Sequence, residues 1–135
     1  MGLIVVDASA VVELMAPDDP LRRTAVAARL STGDAAYAPG HFDMEVMSAI
    51  RGIVRRKPEL AIAVPELLSD VYQLPIRRER LSEAAMARVW RLRENMTPYD
   101  AGYVALAEEL GASLITCDAK FIAPPGIACT IELTR

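Results

Sequence analysis

The sequence predicts an α/β fold, a parallel sheet with helices on both faces, and three observations lead there. Leu3–Val6 and Ser113–Cys117 are apolar without alternation, as strands covered on both faces must be. Strand-like runs take turns with amphipathic helical runs along the whole chain. The 135 residues are 53% hydrophobic and 24% charged, enough apolar side chain for one buried core and too little charge for a disordered chain.

Each element follows in order. After the first strand a short helix runs from about Ser9 to Met15 and stops near Pro17. A second starts around Asp19, with Pro20 suited to its first turn, and reaches about Ser31. Ala35–Pro39 is a short strand. From His41 to Lys57 the spacing of Phe42, Val46, Ala49, Ile50, Ile53 and Val54 makes one helical stripe, and Pro58 ends it. Leu67, Leu68, Val71, Tyr72 and Leu74 form the next helical face from about Pro65, and Ile76–Arg80 is a short edge strand. Ser82–Asn95 is helical with Ala85, Met86, Val89 and Trp90 inward. In TPYDAGYVALAEELG, Thr97 caps, Pro98 takes the first position and Gly111 closes. Ile127–Leu133 is an edge strand. No repeat or linker divides the chain, so residues 1–135 form a single domain.

Composition narrows the possible functions. A net charge of −3 gives no basic footprint of a dedicated nucleic-acid binder. Cys117 and Cys129 lack a CxxC partner and a neighbouring ligand histidine, which excludes a zinc site and leaves them as small core residues of a reducing compartment. No run approaches the roughly 20 apolar residues of a membrane span. With no basic segment at the start, and Asp7 and Glu13 breaking the first apolar run, no signal peptide is expected. The expectation is a soluble, cytoplasmic protein.

The chemistry lies in the acids. Asp7 and Asp118 each follow a buried strand directly, and ligands of open parallel sheets bind at the carboxyl ends of strands. Glu45 and Asp100 sit in the first turns of two helices that start at the same rim. Taken singly, each has an ordinary structural use: Asp100 completes a capping box with Thr97, Asp7 and Asp118 begin turns, and Glu45 is a solvated helix position. Together they repel, at about 4 kcal/mol for two charges about 4 Å apart at an effective dielectric of about 20. A hard divalent cation such as Mg²⁺ relieves that and supports phosphodiester hydrolysis. His41, the only histidine, offers no plausible base.

Three segments, IVVDASAVVEL, YAPGHFDMEVMSAIR and TPYDAGYVALAEELGASLITCDAKF, together resemble a PIN domain of the VapC type, the toxin ribonuclease of a bacterial toxin–antitoxin pair. The resemblance implies a three-layer α/β/α fold with a mostly parallel sheet of order 3-2-1-4-5, and an endoribonuclease dependent on Mg²⁺ or Mn²⁺. Its acidic quartet falls on Asp7, Glu45, Asp100 and Asp118, with no member replaced. Asp7, Asp100 and Asp118 are then metal ligands, and Glu45 a ligand or the group that positions the attacking water. The small hydroxyl residue after the first acid falls on Ser9 and the threonine before the last on Thr116; both would orient carboxylates. Metal-activated water would leave a 5′-phosphate and a 3′-hydroxyl. Implied partners are RNA, a VapB-type antitoxin whose basic tail covers the acids, and a second copy in a homodimer.

Arg51 and Arg55, one turn apart downstream of Glu45, are the RNA-binding candidates beside the cleft. Met44, Met47 and Trp90 are assigned to the core, with a partner surface as the alternative. Two competing functions stand against the nuclease. One is a phosphohydrolase with Asp7 as covalent nucleophile, though Ser9 stands where that chemistry usually has a second acid. The other is a non-catalytic PIN-like interaction module.

Overall fold

A computed structural model describes residues 2–15 and 19–134. The anticipated stop at Pro17 lies outside the described residues. Five strands, β1 (Leu3–Val6), β2 (Ala35–Pro39), β3 (Ile76–Glu79), β4 (Ser113–Thr116) and β5 (Ile131–Leu133), form one sheet in the order β3-β2-β1-β4-β5. Every pairing is parallel, so the sheet is wholly and not just mostly so. The order implied by the resemblance is the order found.

Helices α1 (Ala8–Met15), α2 (Pro20–Leu30), α3 (Phe42–Arg56), α4 (Val64–Gln73), α5 (Glu83–Arg91) and α6 (Pro98–Leu110) complete the layers. α1 lies on the sheet with α2, α3 and α4 around it, and α6 lies on the sheet with α5 on its back. Right-handed crossovers explain the split: the chain moves one way across the sheet to β3, then returns past β1 to β4, so later helices fall on the opposite face. The reversal places the switch point between β1 and β4. Ile4, Val5, Val6, Leu114 and Ile115 are fully buried there, with Tyr103, Phe42 and Phe121 as the large side chains of the core.

Caps follow the sequence. Asp19 accepts from the N–H groups of Leu21 and Arg22, Ser82 from Ala85, and Thr97 from Asp100. Four expectations need correction. Met86 is 58% exposed and Trp90 67%, because α5 turns Ala85, Val89 and Leu92 inward, and Trp90 stacks under the Arg93 guanidinium instead. Tyr72 is 80% exposed, while Val71 and Leu68 make the inner edge of α4. Met44 and Met47 also face outward on α3, so the core assignment fails for them as for Trp90. The last strand is shorter than expected: the Ala128 N–H is taken by Glu108 Oε2 at 2.7 Å rather than by β4, and pairing starts with Leu114 N–H on Thr130 O. Pro58–Ala63 forms an unanticipated 3₁₀ segment before α4.

Candidate active site

Asp7 lies one step beyond the last paired residues of β1 and β4, Val6 and Ile115, and its N–H still bonds Ile115 O at 2.9 Å. The carboxylate is thereby fixed at the switch point, and it is only 6% exposed. Two hydroxyls hold it. Ser9 Oγ donates to Asp7 Oδ2 at 2.6 Å and Thr116 Oγ1 donates to the same oxygen at 2.8 Å. The hydroxyls are themselves oriented, Ser9 by the Cys117 N–H and Thr116 by the Asp118 N–H. Asp7 Oδ1 has no such hydrogen-bond donor among the described residues. Burial pushes the Asp7 carboxyl above its usual range; the Ser9 and Thr116 hydrogen bonds oppose this, and the charge of Asp100 adds to it.

Asp118 and Asp100 meet across a cation that the sequence did not advertise. Lys120 Nζ is 3.0 Å from Asp118 Oδ2 and 3.4 Å from Asp100 Oδ2. The short helical turn Ala119–Phe121, begun by Asp118 Oδ1 accepting the Lys120 N–H, bends the lysine back over the site. Burial works to lower the Lys120 pKa, but the hydrogen bond to Asp118 and the two carboxylate charges outweigh it and hold the ammonium above its ordinary range.

Glu45 approaches from the first turn of α3. Its carboxyl is pushed up chiefly by burial, then by Asp7 and Asp100, against the Tyr103 hydroxyl and His41. Tyr103 faces it without a hydrogen bond of good geometry: Glu45 Oε1 and Tyr103 Oη are both buried and unpartnered among the described residues. Burial and the Glu45 charge keep that phenol protonated far above neutrality. His41 Nε2 sits 3.6 Å from Glu45 Oε1 and 2.9 Å from Tyr99 O. The ring fits only because position 102 is glycine; a Cβ there would come 2.7 Å from His41 Cε1.

All four acids thus share one rim, with Ser9 and Thr116 in contact with the first. Among the described residues, however, no three His, Cys, Asp or Glu side chains converge closely enough to hold an ion as they stand. Arg51 and Arg55 are exposed on flanks of α3 and do not line the cleft beside Asp118; Arg56 does. Sequence reasoning missed Lys120, Tyr103 and the Glu45 contact of His41. Each is placed by contacts through space that no local sequence pattern marks.

The comparisons agree with this architecture. Residues 4–126 match the PIN domain family. Ribonuclease VapC12 of Mycobacterium tuberculosis is 44% identical over 97% of this chain and 98% of its own. Among solved structures, VapBC2 from Rickettsia felis bound to a promoter DNA fragment superposes with a TM-score of 0.68 over 98% of this chain and 99% of that one, at 11% identity. VapC20 of M. tuberculosis, a Sarcin-Ricin loop cleaving toxin, gives 0.67 over 93% and 96% at 17% identity. A family match over nearly the whole length and a near-full-length VapC relative place the chain in the PIN-domain family, within its VapC branch.

Proposed function

We propose that this chain is a cytoplasmic VapC toxin, an endoribonuclease that uses Mg²⁺ or Mn²⁺ and is restrained by a VapB-type antitoxin. The observation that carries the reading is the buried Asp7 carboxylate, held on one oxygen by Ser9 and Thr116, beside Asp100 and Asp118 bridged by an ammonium. A site that recruits a lysine to balance its carboxylates is one built around positive charge. The donor set is all oxygen, which suits Mg²⁺ or Mn²⁺ and not the softer metals. Asp7, Asp100 and Asp118 would hold the ion once Lys120 gives way, with Glu45 the more distant partner. Bound there, it would supply a Lewis acid for phosphodiester hydrolysis.

The residues divide the remaining work. Ser9 and Thr116 fix the carboxylate plane of Asp7. Glu45, with Oε1 lacking a partner, accepts the proton of the attacking water as its oxygen bonds to phosphorus. The P–O3′ bond breaks, and the 3′-oxygen takes a proton from solvent, leaving a 3′-hydroxyl and a 5′-phosphate. Lys120, released from Asp118, stays within reach of the phosphate oxygens. Exposed Met44, Met86 and Trp90 provide apolar surface that a second copy or the antitoxin would cover.

The deciding experiment incubates purified protein with total bacterial RNA in Mg²⁺, in Mn²⁺ and in EDTA, beside Asp7→Asn. Discrete fragments that need both the metal and Asp7 are expected. Cleavage that persists in EDTA or in the variant would refute the mechanism, and calorimetry showing no metal binding would favour the interaction module.

A further inference from the structure

Beside the acids lies a cleft of about 450 Å³ whose polar lining is Ser9, Asp118, Glu13, Arg22 and Arg56. Helical phase explains why Arg56 is there. It follows Glu45 by eleven residues, three turns plus about 20°, so the two share a face of α3 with Ala49 and Gly52 between them. Arg51 and Arg55 miss that face by about 120° and about 80°. Arg56 carries no ion-pair partner among the described residues, and its Nη1 lies 3.9 Å from where a Gly52 Cβ would stand. A methyl there would make ordinary contact with the guanidinium, so only a longer side chain would fill the floor of the cleft.

Arg22 enters from the first turn of α2. Its Nη1 is 3.7 Å from Glu13 Oε2, and Glu13 is in turn tied to the Asp19 N–H at 2.9 Å. Arg22 Nε is a buried donor with no acceptor among the described residues. Leaving such a donor unpaired costs on the order of 1–3 kcal/mol, which an incoming oxygen anion would recover. Val12, Ala49, Ile53 and Ala119 give the cleft an apolar wall, and no aromatic side chain lines it.

Two arginines, one of them 3.7 Å from the Glu13 carboxylate and the other without an ion-pair partner among the described residues, with an unsatisfied donor and an apolar wall, suit one ligand. We propose that this cleft seats the nucleotide next to the scissile phosphate of an RNA strand, with Arg56 and Arg22 on its flanking phosphate. The assignment rests on the ribonuclease reading above and gives that site its substrate subsite. Without an aromatic platform the base is held by shape and not by stacking, so this position tolerates different bases.

The test measures binding of a fluorescein-labelled 20-nucleotide single-stranded RNA to the full chain in Mg²⁺, in an Asp7→Asn background so that the strand stays intact. Arg56→Gln is expected to weaken binding about five- to tenfold and to lower the salt slope by about 0.7, the loss of one phosphate contact on a single strand. Arg22→Gln acts in the same direction, and a melting curve on each variant separates this from loosening of Glu13. Gly52→Leu fills the floor and weakens binding with the slope unchanged. The Arg51→Gln/Arg55→Gln double variant, which removes twice the charge from the same helix, costs less than Arg56→Gln alone. Equal losses from the two, or none from Arg56→Gln, would overturn the proposal. Parallel cleavage of total RNA by the chain with Asp7 restored keeps the two ideas apart. Cleavage that survives the arginine changes at full affinity sinks the cleft alone. Arginine-dependent binding without any cleavage leaves the cleft standing and sinks the nuclease.

Discussion

Thr116 does three things with one oxygen: it fills a fully buried position in β4, donates to Asp7 and accepts the Asp118 N–H. Thr116→Val keeps the shape and removes both of these hydrogen bonds together with the 3.2 Å contact to Ser9 Oγ. Loss of such an orienting partner typically costs about 10–100-fold in metal affinity or activity, so Mn²⁺ calorimetry and cleavage rate should fall together while the fold persists. Lys120→Gln should do the opposite to affinity. Without the ammonium on Asp118 and Asp100, Mn²⁺ binds several-fold tighter by calorimetry, and the protein melts lower in EDTA because two carboxylates lose their counter-charge. At this scale the acids were legible because each sits at a sequence boundary: a strand end for Asp7 and Asp118, a helix start for Glu45 and Asp100. Lys120 was not, because its position depends on a long side chain folding back through space, which no local pattern records. Arg51 and Arg55 were chosen for their spacing from each other, and their helical phase turns them away from the cleft that Arg56 lines.

Among elements, the packing of α6 decides how close α3 can bring its acid. Gly102→Ala would force His41 off its position, since the nearest atoms of the ring would meet the new methyl. Cleavage should fall about tenfold or more with small loss of stability, and the NMR shift of His41 reports the displacement directly. A second lock joins α5 to the segment before β5. Arg88 donates to both Glu108 oxygens and to the Gly126 carbonyl, and Glu108 also accepts from Ala128. Burial alone would raise the Glu108 pKa, but Arg88 and the Ala128 N–H overcome it and depress it. A depressed folded pKa stabilises above the unfolded value, 4.5, and that contribution disappears as pH falls through the folded one. Glu108→Gln should therefore cost about 1–3 kcal/mol at pH 7 and progressively less below pH about 4.5, as read from urea midpoints. The same lock explains why β5 is shorter than its apolar sequence suggests. Strands and helices were otherwise readable from period and caps. Met86 and Trp90 misled because α5 carries apolar residues on two adjacent sides, and only the neighbouring α6 determines which one is covered.

For the whole molecule, the site and the stability pull in different directions. Burial favours the protonated forms of Asp7 and Glu45, so their charged state costs the fold stability that a bound cation would return. Asp7→Asn should melt higher than the parent in EDTA. Adding Mg²⁺ should raise the parent's melting temperature, by the equivalent of about 2.7 kcal/mol at 100 times the dissociation constant, and leave the variant nearly unmoved. An equal response from both would mean that Asp7 takes no part in binding the ion. Sheet order followed from the family likeness. That the sheet is parallel throughout, with its reversal at the β1–β4 seam, fixes where such a site can be.

That seam joins residues from opposite parts of the chain: Asp7 and Ser9 are made early, Thr116 and Asp118 late. A ribosome must complete four of the five strands before Asp7 can meet its second hydroxyl or the fourth acid can reach the rim. Until then the nascent chain carries the candidate site residues as separate pieces. On the nuclease reading proposed above, a chain that stops anywhere upstream of β4 lacks Thr116 and Asp118 and is expected to leave RNA uncut.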